Sequence, residues 1–67
     1  MDFVQKAKVR LEHWIGHNDH HLEDYDAFAK ELEAEGKAES ARYIREMIQH
    51  SARSNECLRK ALLALGG

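Results

Sequence analysis

Two apolar stripes in heptad spacing constrain the fold of this 67-residue chain more than any other feature. The first stripe begins at Val4 and continues to Leu32, and the second begins at Ala41 and continues to Leu65. Steps that alternate between three and four residues are typical of long helices packed at a shallow angle. Gly36 lies between the stripes and suits the left-handed position that follows a helix C-terminus. The pattern therefore predicts an all-α antiparallel helical hairpin.

The predicted hairpin forms a single domain over residues 1–67, with one helix over about 2–35, a turn at about 36–37 and a second helix over about 38–65. The alternative is a three-helix bundle with a break near residues 16–19, where Gly16 weakens the helix and Asn18 or Asp19 offers a cap. Neither cap has Glu or Gln three residues later, and the heptad passes through the segment unbroken. The sequence therefore favours the two-helix hairpin.

A polar layer interrupts the apolar seam at its middle. In a hairpin that turns at Gly36, facing positions sum to about 73, so Asn18 faces Asn55 and Ser51 lies one layer away. A buried asparagine in a heptad seam can fix the register of two helices at a cost in stability. We interpret Asn18, Ser51 and Asn55 as such a register layer.

A second stripe on the first helix contains Phe3, Trp14 and Phe28, and Met47 lies beside the seam of the second helix. One hairpin cannot cover two stripes on each helix, and an exposed aromatic stripe indicates a partner surface. A chain this short is marginally stable alone, and one cysteine cannot form an internal disulfide. We therefore expect a homodimer that forms a four-helix bundle through these four residues, or else docking on another protein.

Four of the five histidines lie within nine residues. His13, His17 and His21 are spaced four residues apart and so form a ladder on one side of a helix. Imidazole binds Ni and Zn, and helix-borne histidine pairs are metal ligands in bundle cores. The spacing predicts a transition-metal site built from His17, His21 and His13, with His20 and Asp24 as additional candidate ligands. In that site Asn18 and Asn55 would orient the imidazoles.

Three other interpretations of the histidines stay open. Exposed histidines usually have no role, and His21 could instead be a half-buried side chain hydrogen-bonded to Ser51 or Asn55. Clustered histidines near a dimer seam would also repel one another when protonated, which would make the cluster a pH sensor. The leading expectation is a small metal-binding or metal-responsive module, and the runner-up is an interaction module without a ligand.

Composition and motifs exclude several other functions. The net charge of −2 and the mixed distribution of charges argue against nucleic-acid binding. The longest apolar run is far too short for a bilayer, and the N-terminus lacks the apolar segment of a signal peptide, so we expect a cytoplasmic protein and no membrane contact. No phosphate-binding glycine loop, nucleophile elbow or general-base pair is present, so we do not expect an enzyme.

The most specific motif has the form His-Trp-x-x-His-Asn-x-x-His over residues 13–21. It is accompanied by an apolar and polar pattern made of Tyr25, Phe28, Leu32, Asn55, Leu58, Ala61, Leu62 and Leu65. With these residues the chain resembles a family of short prokaryotic helical domains of unknown function. The resemblance implies no established activity, but it implies a link to nickel or cobalt handling. The motif histidines correspond to His13, His17 and His21, whereas His20 lies outside the motif.

Overall fold

The computed structural model describes residues 2–66, so the two ends of the predicted domain, residues 1 and 67, lie outside the described part. Helix α1 spans Phe3–Ala34 and helix α2 spans Ala38–Ala64. The two helices pack antiparallel, which confirms the predicted all-α hairpin. The three-helix alternative is wrong, because α1 continues through residues 16–19 without a break. One internal glycine costs about 1 kcal/mol relative to alanine, which is too little to break a helix of this length.

Helix α1 has a well-formed cap at each end. At its start the Asp2 carboxylate accepts a hydrogen bond from the Gln5 backbone N–H at 2.9 Å. At its end Gly36 adopts a φ of 75° and the Lys37 N–H donates to the Leu32 carbonyl at 2.8 Å. This bond and the positive φ define a Schellman motif, which only glycine adopts without strain. The turn is therefore specified by Gly36, as the sequence predicts.

The seam between the helices is shallow. Among residues 2–66 only Ala29, Ala41 and Asn55 are fully buried, and Asn55 is the largest of them. The leucines and isoleucines of both heptad stripes are half-buried. The hairpin measures 51 × 16 × 12 Å, and its radius of gyration of 15.5 Å exceeds the value of about 11 Å expected for a globular domain of this length. One pair of helices therefore encloses almost no interior.

The hairpin has two unlike faces. On the face that we call the charged face, three ion pairs join α1 to α2. The Arg45 guanidinium contacts Asp26 at 3.0 Å and Glu33 at 2.8 Å, and the Arg59 guanidinium contacts Asp19 at 2.6 Å. In the described part of the chain no interhelix ion pair lies on the opposite face. The charged face is therefore held by exposed electrostatic contacts rather than by apolar packing.

Hydrogen bonds from Arg45 lower the pKa values of Asp26 and Glu33 below their ordinary range. The Lys30 ammonium, 3.2 Å from Asp26, lowers the pKa of that carboxyl further. In turn, hydrogen bonds to Glu33 and Asp26 raise the pKa of Arg45. Both carboxylates are therefore held in their ionised form beside a fixed cation.

The face opposite the charged face, which we call the apolar face, carries Phe3, Trp14 and Phe28 of α1. Trp14 is 47% exposed, Phe28 is 48% exposed and Phe3 is 80% exposed. Met47 of α2 is half-buried beside the seam. Large aromatic side chains with this exposure leave apolar surface in water. The prediction that one hairpin cannot cover the second stripe agrees with these exposures.

Candidate functional site

Three of the four histidines of α1 form a continuous row of rings with Tyr25. The imidazole of His17 lies 6.1 Å from that of His13 and 4.5 Å from that of His21, measured between ring centroids. His21 in turn stacks on Tyr25 at 5.8 Å with an interplanar angle of 12°. The row exists because residues four apart on a helix are neighbours on its surface. Four aromatic rings therefore follow one another along the side of α1.

The closest contact in this row joins His17 and His21. Their Nε2 atoms are 3.0 Å apart, so one ring donates Nε2–H to the unprotonated Nε2 of the other. Metal–imidazole bonds of about 2.0–2.1 Å to two nitrogens at this separation enclose an N–metal–N angle of about 90–97°. That angle is near the 90° of square-planar and octahedral coordination, which Ni(II) adopts. The pair has the donor chemistry and the bite of a bidentate ligand.

The remaining candidate ligands do not join this pair in one site. The His20 imidazole faces Asp24 instead, with 3.8 Å between Nε2 and Oδ2, and both side chains are exposed. The His13 ring stacks on the His17 ring. The hydrogen bonds found within residues 2–66 include none between these two rings. Within residues 2–66 no group of three or more His, Cys, Asp or Glu side chains is arranged to hold one metal ion. One chain therefore brings together two candidate ligands, His17 and His21.

The predicted polar layer forms, but most of its hydrogen bonds point away from the histidines. The Asn18 amide donates to Asn55 Oδ1 at 3.4 Å, which agrees with the predicted register. The Asn55 amide donates to Asp19 Oδ1 at 2.7 Å and to the Ile15 carbonyl at 3.2 Å. Every polar side-chain atom that is buried in the described part of the chain has a partner. Asn55 therefore ties α2 to α1, and none of these three hydrogen bonds is to an imidazole.

Asn18 and Ser51 do lie near one histidine. Together with His21, Tyr25 and Ser54 they line an open cleft of about 130 Å³ on the apolar face. His21 is hydrogen-bonded to His17 rather than to Ser51 or Asn55. The alternative in which His21 is hydrogen-bonded to the polar layer therefore does not describe this structure. The orientation of an imidazole by Asn18 remains a prediction.

Some contacts between the helices were not predicted from the sequence. They are made by Asp19, Arg45 and Arg59. Asp19 bridges the buried Asn55 and the exposed Arg59, and so continues the polar layer out to the charged face. The signal for these contacts is weak in the sequence, because long arginine side chains reach partners several positions from their own layer. Only the placement of opposite charges beside both stripes hints at them.

The fold and the row of rings define a class: a two-helix hairpin domain with a histidine-rich first helix and a buried asparagine layer. Residues 7–65 match a domain of unknown function (DUF8180), and the chain belongs to this family. Neither the curated proteins nor the solved structures give a match. In residues 2–66 neither helix has a stretch that is apolar and long enough to cross a membrane.

Proposed function

We propose that this domain is a small cytoplasmic module that binds a transition metal, nickel or zinc, through His17 and His21. The observation that carries the proposal is the 3.0 Å separation of the two Nε2 atoms. A metal ion would take the place of the proton that the two rings share. The resemblance described from the sequence motif would imply a link to nickel or cobalt handling, and that implication agrees with the same chemistry.

Two ligands on one helix leave coordination positions open. Water, His13 after a change of rotamer, or donors from a second chain would fill them, whereas His20 and Asp24 would form at most a weaker neighbouring site. Structural zinc sites use four protein ligands, so a two-ligand site is suited to reversible rather than permanent binding. We therefore propose a metal-responsive role and no catalysis.

The second candidate function is an interaction module without a ligand. The exposure of Phe3, Trp14 and Phe28 favours it, because side chains of this size and exposure mark docking surfaces. In that case the partner would be a second copy or another protein, and the histidines would be exposed residues without a role. The two candidates differ in whether metal stabilises the fold.

The test is thermal unfolding of the metal-free protein with and without Ni(II) or Zn(II). A ligand at 100 times its dissociation constant stabilises by about 2.7 kcal/mol, which for a domain this small raises Tm by about 10–20 °C. The variant His17→Ala/His21→Ala should lose the shift, and the control His50→Ala, which removes an exposed histidine of α2, should keep it. No shift with either metal would contradict metal binding and favour the ligand-free module, and an equal shift in the double variant would contradict binding through His17 and His21.

A further inference from the structure

The hairpin exposes more surface than a chain of its mass exposes when it is folded alone. Its accessible surface is 5189 Å² at 7.7 kDa, whereas a globular monomer of that mass exposes about 4,300 Å². The excess of about 900 Å² is close to the 800 Å² or so that each partner buries in a standard interface. Since the described core holds only two alanines and one asparagine, the hairpin has little interior of its own, and a partner surface would supply the missing burial.

The apolar face is the surface that this burial would cover. It presents Trp14 and Phe28 and is free of interhelix ion pairs, whereas the charged face carries all three of those found in residues 2–66. Covering the apolar face removes aromatic surface from water without burying paired charges. It also leaves Arg45, Arg59 and their partners in solvent.

The charge distribution along the hairpin indicates what the occupant is. The half that contains the turn, residues 19–51, carries nine Asp and Glu against four Lys and Arg, a net charge of −5. The half that contains the chain ends, residues 2–18 and 52–66, carries six Lys and Arg against three Asp and Glu, a net charge of +3. Two copies side by side in the same direction would place like charges together, whereas two copies in opposite directions would place each acidic half beside a basic half.

We propose that a second copy of this chain packs antiparallel on the apolar face, about a twofold axis perpendicular to the helices near their midpoints. Residues 17–21 lie at the middle of α1, and Ser51 lies at the middle of α2. The axis therefore passes close to the His17 and His21 of both copies. The pairing itself rests on surface and charge alone. One consequence does rest on the proposed function: the two histidine pairs would complete a four-imidazole metal site shared between the copies.

Orientation is tested by distance measurement between spin labels at the turn. The variant Lys37→Cys in a Cys57→Ser background carries one label per chain. An antiparallel dimer places the two labels about one hairpin length apart, close to 51 Å. A dimer with both turns at one end places them within about 25 Å, because packed helices lie 8–10 Å apart. A short distance would overturn the antiparallel arrangement.

Association is tested by sedimentation of the wild type and two matched variants. Trp14→Asp should weaken dimerisation at least about tenfold. Leu63→Asp, which puts the same charge on a 76% exposed apolar residue near Arg59, should change it less than about twofold. If Trp14→Asp fails to fold, the wild type alone tests association. Its Tm should rise as the protein concentration increases from about 5 to about 500 μM only if the chains associate. A monomer with a constant Tm, or a dimer that tolerates Trp14→Asp, would overturn the proposal.

The shared metal site is tested separately, by the stoichiometry of Ni(II) binding. One ion per two chains supports the four-imidazole site, and one ion per chain overturns it while the dimer stands. The variant His17→Ala/His21→Ala should lose the metal and keep the dimer. A dimer without metal binding would refute the proposed function alone, and metal binding by a monomer would refute this inference alone.

Discussion

The replacement Asn55→Ala tests whether the buried polar layer holds the two helices together. Asn55 is the only fully buried polar residue in the described part of the chain, and its amide group makes three hydrogen bonds to α1. The shortest, at 2.7 Å, is to the Asp19 carboxylate. Alanine removes all three bonds and leaves their partners on α1 part-buried, with the Asp19 side chain still 46% exposed.

The expected cost follows from the three bonds. A hydrogen bond to a charged group contributes about 1.5–3 kcal/mol, and a neutral one contributes about 0.5–1.5 kcal/mol. In the variant Asp19 keeps its contact with Arg59, and the Ile15 carbonyl lies within the hydrogen-bonded backbone of α1. The contributions of the charged and the neutral bonds therefore lie towards the lower ends of these ranges. We expect a loss of about 2–4 kcal/mol in the free energy of unfolding. A chain of this length has only about 3–10 kcal/mol in total.

The measurement is urea unfolding followed by circular dichroism, with all variants at one protein concentration because association would shift the apparent stability. Ser51→Ala is the matched control, since Ser51 is half-buried one turn away and has no side-chain hydrogen bond among those found in residues 2–66. Its expected cost is below about 0.5 kcal/mol. Equal stability of Asn55→Ala and wild type, or an equal loss in Ser51→Ala, would refute the role of the Asn55 hydrogen bonds.

The remaining predictions concern the glycines and the charged face. Gly16→Ala should stabilise by about 0.5–1 kcal/mol in urea unfolding, since Gly16 lies within α1 and an added methyl group meets nothing within 4 Å. Gly36→Ala should destabilise by about 1 kcal/mol in the same assay because its φ is 75°. The lowered pKa values of Asp26 and Glu33 stabilise the fold above their ordinary values of 3.8 and 4.5, so Tm should fall as the pH drops through and below that range. Arg45→Met should flatten this acid dependence, and an unchanged slope would contradict it.

The periodicity of the sequence was sufficient to predict the hairpin and its register. Heptad spacing predicts which residues of each helix lie on the same side, and Gly36 predicts where the chain reverses direction. Together these features align Asn18 with Asn55, and the hydrogen bond between them confirms the alignment. The expected bounds of 2–35 and 38–65 extend one residue beyond the helices at three of their four ends, because capping residues follow the same pattern as helical ones.

Heptad periodicity does not predict the side-chain contacts of the charged face or those of the histidines. Arg45 reaches two carboxylates on α1 that are seven residues apart, and periodicity does not encode the reach of a long side chain. Spacing also predicts that His17 and His21 are neighbours, but it does not predict that their Nε2 atoms converge to 3.0 Å, which depends on the side-chain rotamers. The metal and the dimer are therefore still proposals.

The middle of the hairpin is where the proposed metal and the proposed second copy would both bind. The seam there is polar, at Asn18, Ser51 and Asn55, and the helix beside it contains Gly16, so apolar burial and helix propensity contribute less here than in the leucine and isoleucine layers. His17 lies on the same turns and is exposed. Metal or a second copy bound here would add contacts to this segment of α1 and so oppose its local opening. Metal or a second copy should therefore slow amide hydrogen exchange at residues 15–21 more than near the Gly36 turn, and uniform protection would argue against binding at the centre.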